Sequence, residues 1–174
     1  MSVIEAIRGD LTVQHADALV NAANSSLLGG GGVDGALHTA AGPALMAACR
    51  RLRAEQLPEG LPVGQAVATE AGLLPARWVI HTVGPNRHAG QLDPELLAAC
   101  YTHSLDLAVR LGARSIAFPA IGAGAYGWDT ATAAQIAVGA AKRHPRTGLD
   151  LVRFVLFSDA LLAAFRAELD RVNR

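Results

Sequence analysis

The chain has 174 residues, 51% of them hydrophobic and 17% charged, with 15 Lys and Arg balanced by 15 Asp and Glu. A domain commonly takes about 100–200 residues, so the length predicts one domain over residues 1–174 with a real core. Zero net charge excludes a broad electrostatic grip on nucleic acid or an anionic membrane, and two cysteines without CxxC spacing, Cys49 and Cys100, exclude a disulfide framework or a four-cysteine zinc site.

In chain order, the opening MSVIEAIRGD carries Glu5 and no apolar run, which predicts a first strand over Val3–Arg8 and no signal peptide. Ala18–Val20 predicts a second strand, running into the polar loop Asn21-Ala22-Ala23-Asn24-Ser25-Ser26 and then Gly29–Gly32. A helical stretch follows from Asp34 to near Arg53, broken at Gly42-Pro43 because proline disfavours helix at the residue before it. Leu57–Gln65 is rich in turn residues. Ala66–Glu70 and Trp78–Val83 predict two more strands, the second strongly β-prone. Asp93-Pro94-Glu95 opens a helix that runs to Leu111 and stops at Gly112. Ser115–Ile121 predicts a buried strand, and Asp129/Thr130 start a helix of small residues ending near His144. Leu151–Phe157 is a last apolar strand, and Ser158/Asp159 start a C-terminal helix. The least charged stretch, Ser115 to Ala141, is interrupted by Asp129 and several glycines and does not predict a spanning helix. A soluble, cytoplasmic protein is the expectation.

Strands separated by helices predict an α/β fold with parallel pairing and helices on both faces of the sheet. Ligands of such sheets sit at the carboxyl ends of the strands. The segments Gly9-Asp10, Asn21–Asp34, Gly122–Asp129 and Phe157–Asp159 therefore carry the functional expectation.

Two loops, Gly30–Gly35 and Gly122–Gly127, fit GxGxxG. The second follows a strand and precedes a helix, as a dinucleotide fingerprint does. That fingerprint expects an acidic residue at the end of the next strand, whereas Asp150 stands at its start, so a nicotinamide dehydrogenase is disfavoured. There is no GK[ST], which excludes a P-loop. Neither loop holds Lys or Arg, so a phosphate here would be held by backbone N–H groups and a helix N-terminus. One such loop reads as a tight turn; two at strand-to-helix junctions favour a diphosphate ligand. Asp34 is either a helix cap or a carboxylate able to orient or deprotonate a water. Asn21 and Asn24 suit sugar hydroxyls, or turns. Tyr126 and Phe157 are placed to stack on a base or cover a sugar, with core packing the alternative for Phe157. His81, inside a strand, reads as a satisfied core histidine, and His38 likewise. No GxSxG or HExxH occurs, and no metal site is expected.

Gly9-Asp10-Leu11-Thr12, the block from Val20 through Asn21-Ala22-Ala23-Asn24 to Gly29–Gly32-Val33-Asp34-Gly35, His38, and Ala40-Ala41-Gly42 together resemble the macrodomain family, and more closely its MacroD-type ADP-ribosyl hydrolases. Val79–Pro85, Phe118-Pro119-Ala120-Ile121 and Phe154–Phe157 continue the resemblance over essentially the whole chain. It implies a three-layer α/β/α fold with a mixed, mostly parallel sheet that binds ADP-ribose, and no cofactor. Asp10 would accept from the adenine amine, with the Leu11 backbone beside it, and Phe157 would stack near the adenine. Gly122, Ala123, Gly124, Ala125 and Tyr126 would wrap the diphosphate and distal ribose, with Gly32, Val33 and Asp34 on the other side. Asn24 would bond distal-ribose hydroxyls. Asp34, with Asn24, would direct a water at the reactive sugar carbon. The implied activity is removal of ADP-ribose from acidic side chains or deacetylation of O-acetyl-ADP-ribose. The partners would be ADP-ribose, ADP-ribosylated proteins or O-acetyl-ADP-ribose, with nucleic acid only as an ADP-ribosylated substrate. The alternatives are a reader that binds ADP-ribose without turnover and a phosphatase acting on ADP-ribose-1″-phosphate. The sequence departs from the family at Gly122-Ala123, where Ser-Thr is common, at Trp128-Asp129, where an aromatic-proline pair is usual, and at Asn86-Arg87-His88.

Overall fold

Apolar residues that alternate along the strands send side chains to both faces of one sheet, and helices cover each face. The computed structural model describes residues 2–174. The strands are β1 (Val3–Arg8), β2 (Ala18–Ala23), β3 (Ala66–Glu70), β4 (Trp78–Val83), β5 (Ser115–Phe118) and β6 (Leu151–Leu156). The helices are α1 (Gly32–Ala41), α2 (Pro43–Glu55), α3 (Pro94–Leu111), α4 (Thr130–Arg143) and α5 (Asp159–Val172).

The sheet order is β1-β6-β5-β2-β4-β3. All neighbours pair in parallel except β3, which runs antiparallel to β4 at the edge. The chain goes from β3 to β4 without a crossover helix, and so short a connection requires antiparallel pairing. On one face Val20, Ile80, Ile116 and Phe154 pack against α3, α4 and α5. On the other, Leu19, Val79 and Ala117 pack against Leu37 of α1 and Leu45 of α2. The architecture is thus three-layer α/β/α with a mixed, mostly parallel sheet. Among the described residues, no helix is long and apolar enough to cross a membrane.

Several boundaries differ from the sequence expectation in ways that move functional residues. β2 continues through Ala23, so Asn21 lies in a buried strand and not in the loop. Its register partner is His81 of β4, and the ladder carries both. β5 stops at Phe118, because Pro119 has no N–H to offer the ladder. α1 begins at Gly32 with Gly31 as its cap residue, which places Asp34 in the first turn instead of at the cap. β6 ends at Leu156, leaving Phe157 outside the sheet and 64% exposed, so core packing does not account for it. The other helix starts hold: Asp93 Oδ1 accepts from Glu95 N–H at 2.9 Å, Asp129 Oδ2 from Thr132 N–H at 3.1 Å, and Ser158 Oγ from Leu161 N–H at 3.2 Å.

Candidate ligand-binding and active site

The two glycine loops end up facing each other. They close a cleft of about 350 Å³ at the carboxyl ends of β2, β5 and β6. One wall holds Ala22, Asn24 and Gly30 through Asp34; the other holds Ala120, Gly122, Gly124, Ala125 and Tyr126, with Phe157 at the rim. Asn24, Gly32, Val33, Asp34, Gly122, Gly124, Ala125, Tyr126 and Phe157 are therefore brought together as the sequence predicts. Ala123 is in the same loop but packs against the core on the α3–α4 side. Asp10 and Leu11 do not line the cleft. Asp10 is exposed, and its Oδ1 accepts from Thr12 N–H at 2.8 Å and Thr12 Oγ1 at 2.7 Å, which fixes the turn Leu11–Val13 and leaves Oδ2 outside these bonds. The Leu11 side chain is buried beside Leu37 and Leu45. Sequence reasoning missed Ala22, Gly30, Gly31 and Ala120 as wall residues. All four lie inside the motifs already singled out, and small size was the signal, since it lets a ligand approach the backbone.

No Lys or Arg lines the cleft among the described residues. The polar groups on offer are main-chain donors. α1 starts without a side-chain cap, so its first N–H groups face the opening unclaimed. In the second loop, Ala123, Gly127 and Trp128 N–H close turns onto Ala120, Gly124 and Gly122 carbonyls at 3.4, 3.3 and 3.1 Å. The intervening N–H groups of Gly124, Ala125 and Tyr126 make no such turn. Tyr101 Oη, from α3, accepts from Ile121 N–H at 3.0 Å and anchors this loop to the core. Arg87 N–H donates to the Tyr126 carbonyl at 2.9 Å and braces its far end.

Asp34 is the charged side chain of the cleft, and it is only 4% exposed. Asn21 Nδ2 donates to its Oδ1 at 2.8 Å, and His38 Nε2, one helical turn on, stands 3.4 Å from the same oxygen. Oδ2 is buried and has no protein partner. A Cβ placed on Gly30 would stand 3.1 Å from Asp34 Oδ2 and 3.2 Å from Asn24 Nδ2, so the two side chains converge beside that glycine. Asn24 is held in turn by donation to the Gly29 carbonyl at 2.8 Å and by Ser26 Oγ at 2.5 Å from its Oδ1. Beneath them lies His81, fully buried, with Nδ1 3.1 Å from Asn21 Nδ2 and Nε2 2.9 Å from Thr69 Oγ1. Burial, with His38 adding repulsion, pushes the His81 pKa down to about 3, so the ring is neutral at ordinary pH. It is the satisfied core histidine expected, but it satisfies itself on the residue that holds Asp34. Burial, and to a lesser degree Asp34, pushes the Cys49 thiol up to about 11; it is no nucleophile. Among the described residues, no three His, Cys, Asp or Glu side chains group as a metal site.

The Macro domain family model matches residues 20–137, from β2 through most of α4 and so across both glycine loops. The chain belongs to the macrodomain family. A macro domain-containing protein of Streptomyces nogalater is 57% identical over 169 residues, covering 97% of this chain and 93% of that one. An O-acetyl-ADP-ribose deacetylase of Cronobacter sakazakii is 53% identical over 148 residues, covering 82% and 81%. The solved Oceanobacillus iheyensis macrodomain with ADP is 42% identical with a TM-score of 0.92, covering 97% of this chain and 90% of its own. Macrodomain membership accounts for the paired glycine loops and the mixed sheet alike.

Proposed function

We propose that this macrodomain binds ADP-ribose in the cleft and hydrolyses its esters, releasing ADP-ribose from acidic side chains or from O-acetyl-ADP-ribose. One observation carries the reading: among the residues that line the cleft is a buried carboxylate, Asp34, with one oxygen tied and the other without a protein partner, beside main-chain donors only. Structural carboxylates seldom leave a buried oxygen without a partner, because the desolvation is uncompensated. An oxygen so placed suits a water or a ribose hydroxyl.

In this reading the diphosphate lies between the α1 N-terminus and the N–H groups of Gly124, Ala125 and Tyr126. The adenine stacks on exposed Phe157, Asp10, outside the cleft wall, offers its Oδ2 to the adenine amine, and the distal ribose lies against Asn24 and Asp34. Asp34 Oδ2 takes a proton from a water as the water oxygen bonds to the reactive sugar carbon; the ester C–O bond breaks, and a carboxylate and ADP-ribose leave. The deacetylase name of the Cronobacter relative supports the ester as substrate class, and the ADP complex of the Oceanobacillus macrodomain supports an adenine nucleotide as the ligand class.

Asp34→Ala tests the assignment. Release of ADP-ribose from O-acetyl-ADP-ribose and from a glutamate-linked peptide should fall by about a hundredfold or more, while calorimetric binding of ADP-ribose persists. Retained turnover would reduce Asp34 to a first-turn residue of α1. Binding without turnover by the wild type would leave a reader.

A further inference from the structure

A row of polar side chains crosses the sheet under the cleft, at right angles to the strands. Thr69 comes from edge strand β3, His81 from β4, Asn21 from β2, and Asp34 from α1 above them. Asn21 and His81 are direct register partners, and Thr69 lies diagonally across from His81, opposite Val79. The links are 2.9 Å from Thr69 Oγ1 to His81 Nε2, 3.1 Å from His81 Nδ1 to Asn21 Nδ2, and 2.8 Å from Asn21 Nδ2 to Asp34 Oδ1. Thr69, His81, Asn21 and Asp34 are all buried.

Donor and acceptor valence gives the row a direction. A carboxylate oxygen only accepts, so Asn21 presents its NH2 to Asp34. The second hydrogen of the same nitrogen points at His81 Nδ1, which must then be the ring's lone pair. The ring proton is consequently on Nε2, and Thr69 Oγ1 receives it. The other tautomer would set two N–H groups against each other, and a flipped Asn21 would set its carbonyl against the carboxylate. Asn21 Oδ1 is buried without a donor. All the amide's hydrogen bonds are thus made at its nitrogen.

We infer that Thr69 and His81 are positioning residues that act through Asn21: they lock its amide so that Asp34 Oδ1 is the tied oxygen and Oδ2 the one left without a protein partner. The inference rests on the hydrolytic reading of Asp34 for its effect on rate, but the lock itself is a property of the unliganded protein. Thr69→Val keeps the shape of the side chain and removes the oxygen. The Nε2 proton then keeps only the weak acceptor Cys49 Sγ, 3.8 Å away, and the tautomer that suits Asn21 loses most of its advantage.

The test has a spectroscopic arm and a kinetic arm. Long-range ¹H–¹⁵N spectra of the wild type should show His81 as a single neutral tautomer protonated at Nε2; a ring protonated at Nδ1, or at both nitrogens, overturns the inference. In folded Thr69→Val the His81 pattern and the Asn21 side-chain NH2 signals should change. Its kcat on O-acetyl-ADP-ribose should fall about tenfold or more, with the Kd for ADP-ribose within about twofold. Thr69→Ser, which restores the hydroxyl, should recover both the spectrum and kcat. Wild-type kcat in Thr69→Val, or a fall in kcat that Thr69→Ser does not recover, overturns it. If Thr69→Val does not fold, His81→Gln replaces it: the Gln amide can accept from Asn21 and donate to Thr69, so turnover should stay within about tenfold, and a complete loss overturns the inference. If the wild type hydrolyses no ester, the proposed function falls, and the wild-type and Thr69→Val spectra still decide the lock.

Discussion

Gly122 stands at φ +83°, and a Cβ there would lie 2.8 Å from Trp128 Cδ1 and 3.3 Å from Leu97 Cδ1. Trp128 is itself fixed: its Nε1–H donates to the Pro85 carbonyl at 2.8 Å, and the Arg87 guanidinium lies 5.0 Å from its ring centroid. Two departures from the family pattern, glycine for a hydroxyl residue and Trp128 beyond the loop, are thus one packing arrangement. The indole fills the space a serine side chain would use. Gly122→Ser should destabilise the protein by about 1–3 kcal/mol, from strain at positive φ and from overpacking. Removing the indole in the same chain should return the overpacking share but not the strain, so a double-mutant cycle followed by urea denaturation should show coupling between the two positions. Additive effects would contradict the packing account. Much of the site at this scale was legible: Asn24, Asp34, Tyr126 and Phe157 stand where residue type and loop position put them. Asn21 was not, because Asn is depleted in strands and the run Asn21–Ser26 has the composition of a turn. What makes it a strand residue is satisfaction by His81, 60 positions away, and by Asp34, 13 away. A local reading has no access to either partner.

At the scale of elements, the loop that carries Asn24 is held from outside the cleft. Arg53, on α2, donates from Nη1 to the Ser26 carbonyl at 2.7 Å and from Nε to the Leu57 carbonyl at 3.0 Å. Leu61 N–H donates to the Ser25 carbonyl at 2.8 Å. One guanidinium therefore ties the β2–α1 loop to the α2–β3 connection, through hydrogen bonds of the stronger, charged kind. Arg53→Ala should loosen Asn24 relative to Asp34 and lower kcat/KM for ester hydrolysis by about three- to thirtyfold, corresponding to about 1–2 kcal/mol. Fold and circular dichroism should be unchanged, and Arg53→Lys should recover only part, since one ammonium cannot span both carbonyls in a fork. An Arg53→Ala enzyme with wild-type kcat/KM would show that the loop holds itself. The helices α3, α4 and α5 were legible because each announces its start with a capping side chain. α1 was misplaced by two residues for the opposite reason: its start carries no cap, and that vacancy is what gives the cleft its donors.

For the whole molecule, strand–helix alternation gives the α/β class, and the cleft lies at the end of the sheet where that class puts its ligands. It does not give the antiparallel edge strand β3, because Ala66–Glu70 has the same apolar pattern whichever way it runs; the short Ala71–Arg77 connection decides it. The cleft has a further consequence. A nucleoside diphosphate sugar arrives with negative charge at a protein whose acidic and basic side chains balance and whose cleft wall holds, among the described residues, a single carboxylate and no cation. No counterions are displaced from opposing lysines when it docks. The affinity for ADP-ribose should therefore be almost flat between low and high ionic strength, with any slope toward tighter binding as salt screens the ligand from Asp34. Calorimetric titrations across added sodium chloride would read this directly; a steep weakening would mean that an arginine outside the wall reaches in to grip the phosphates.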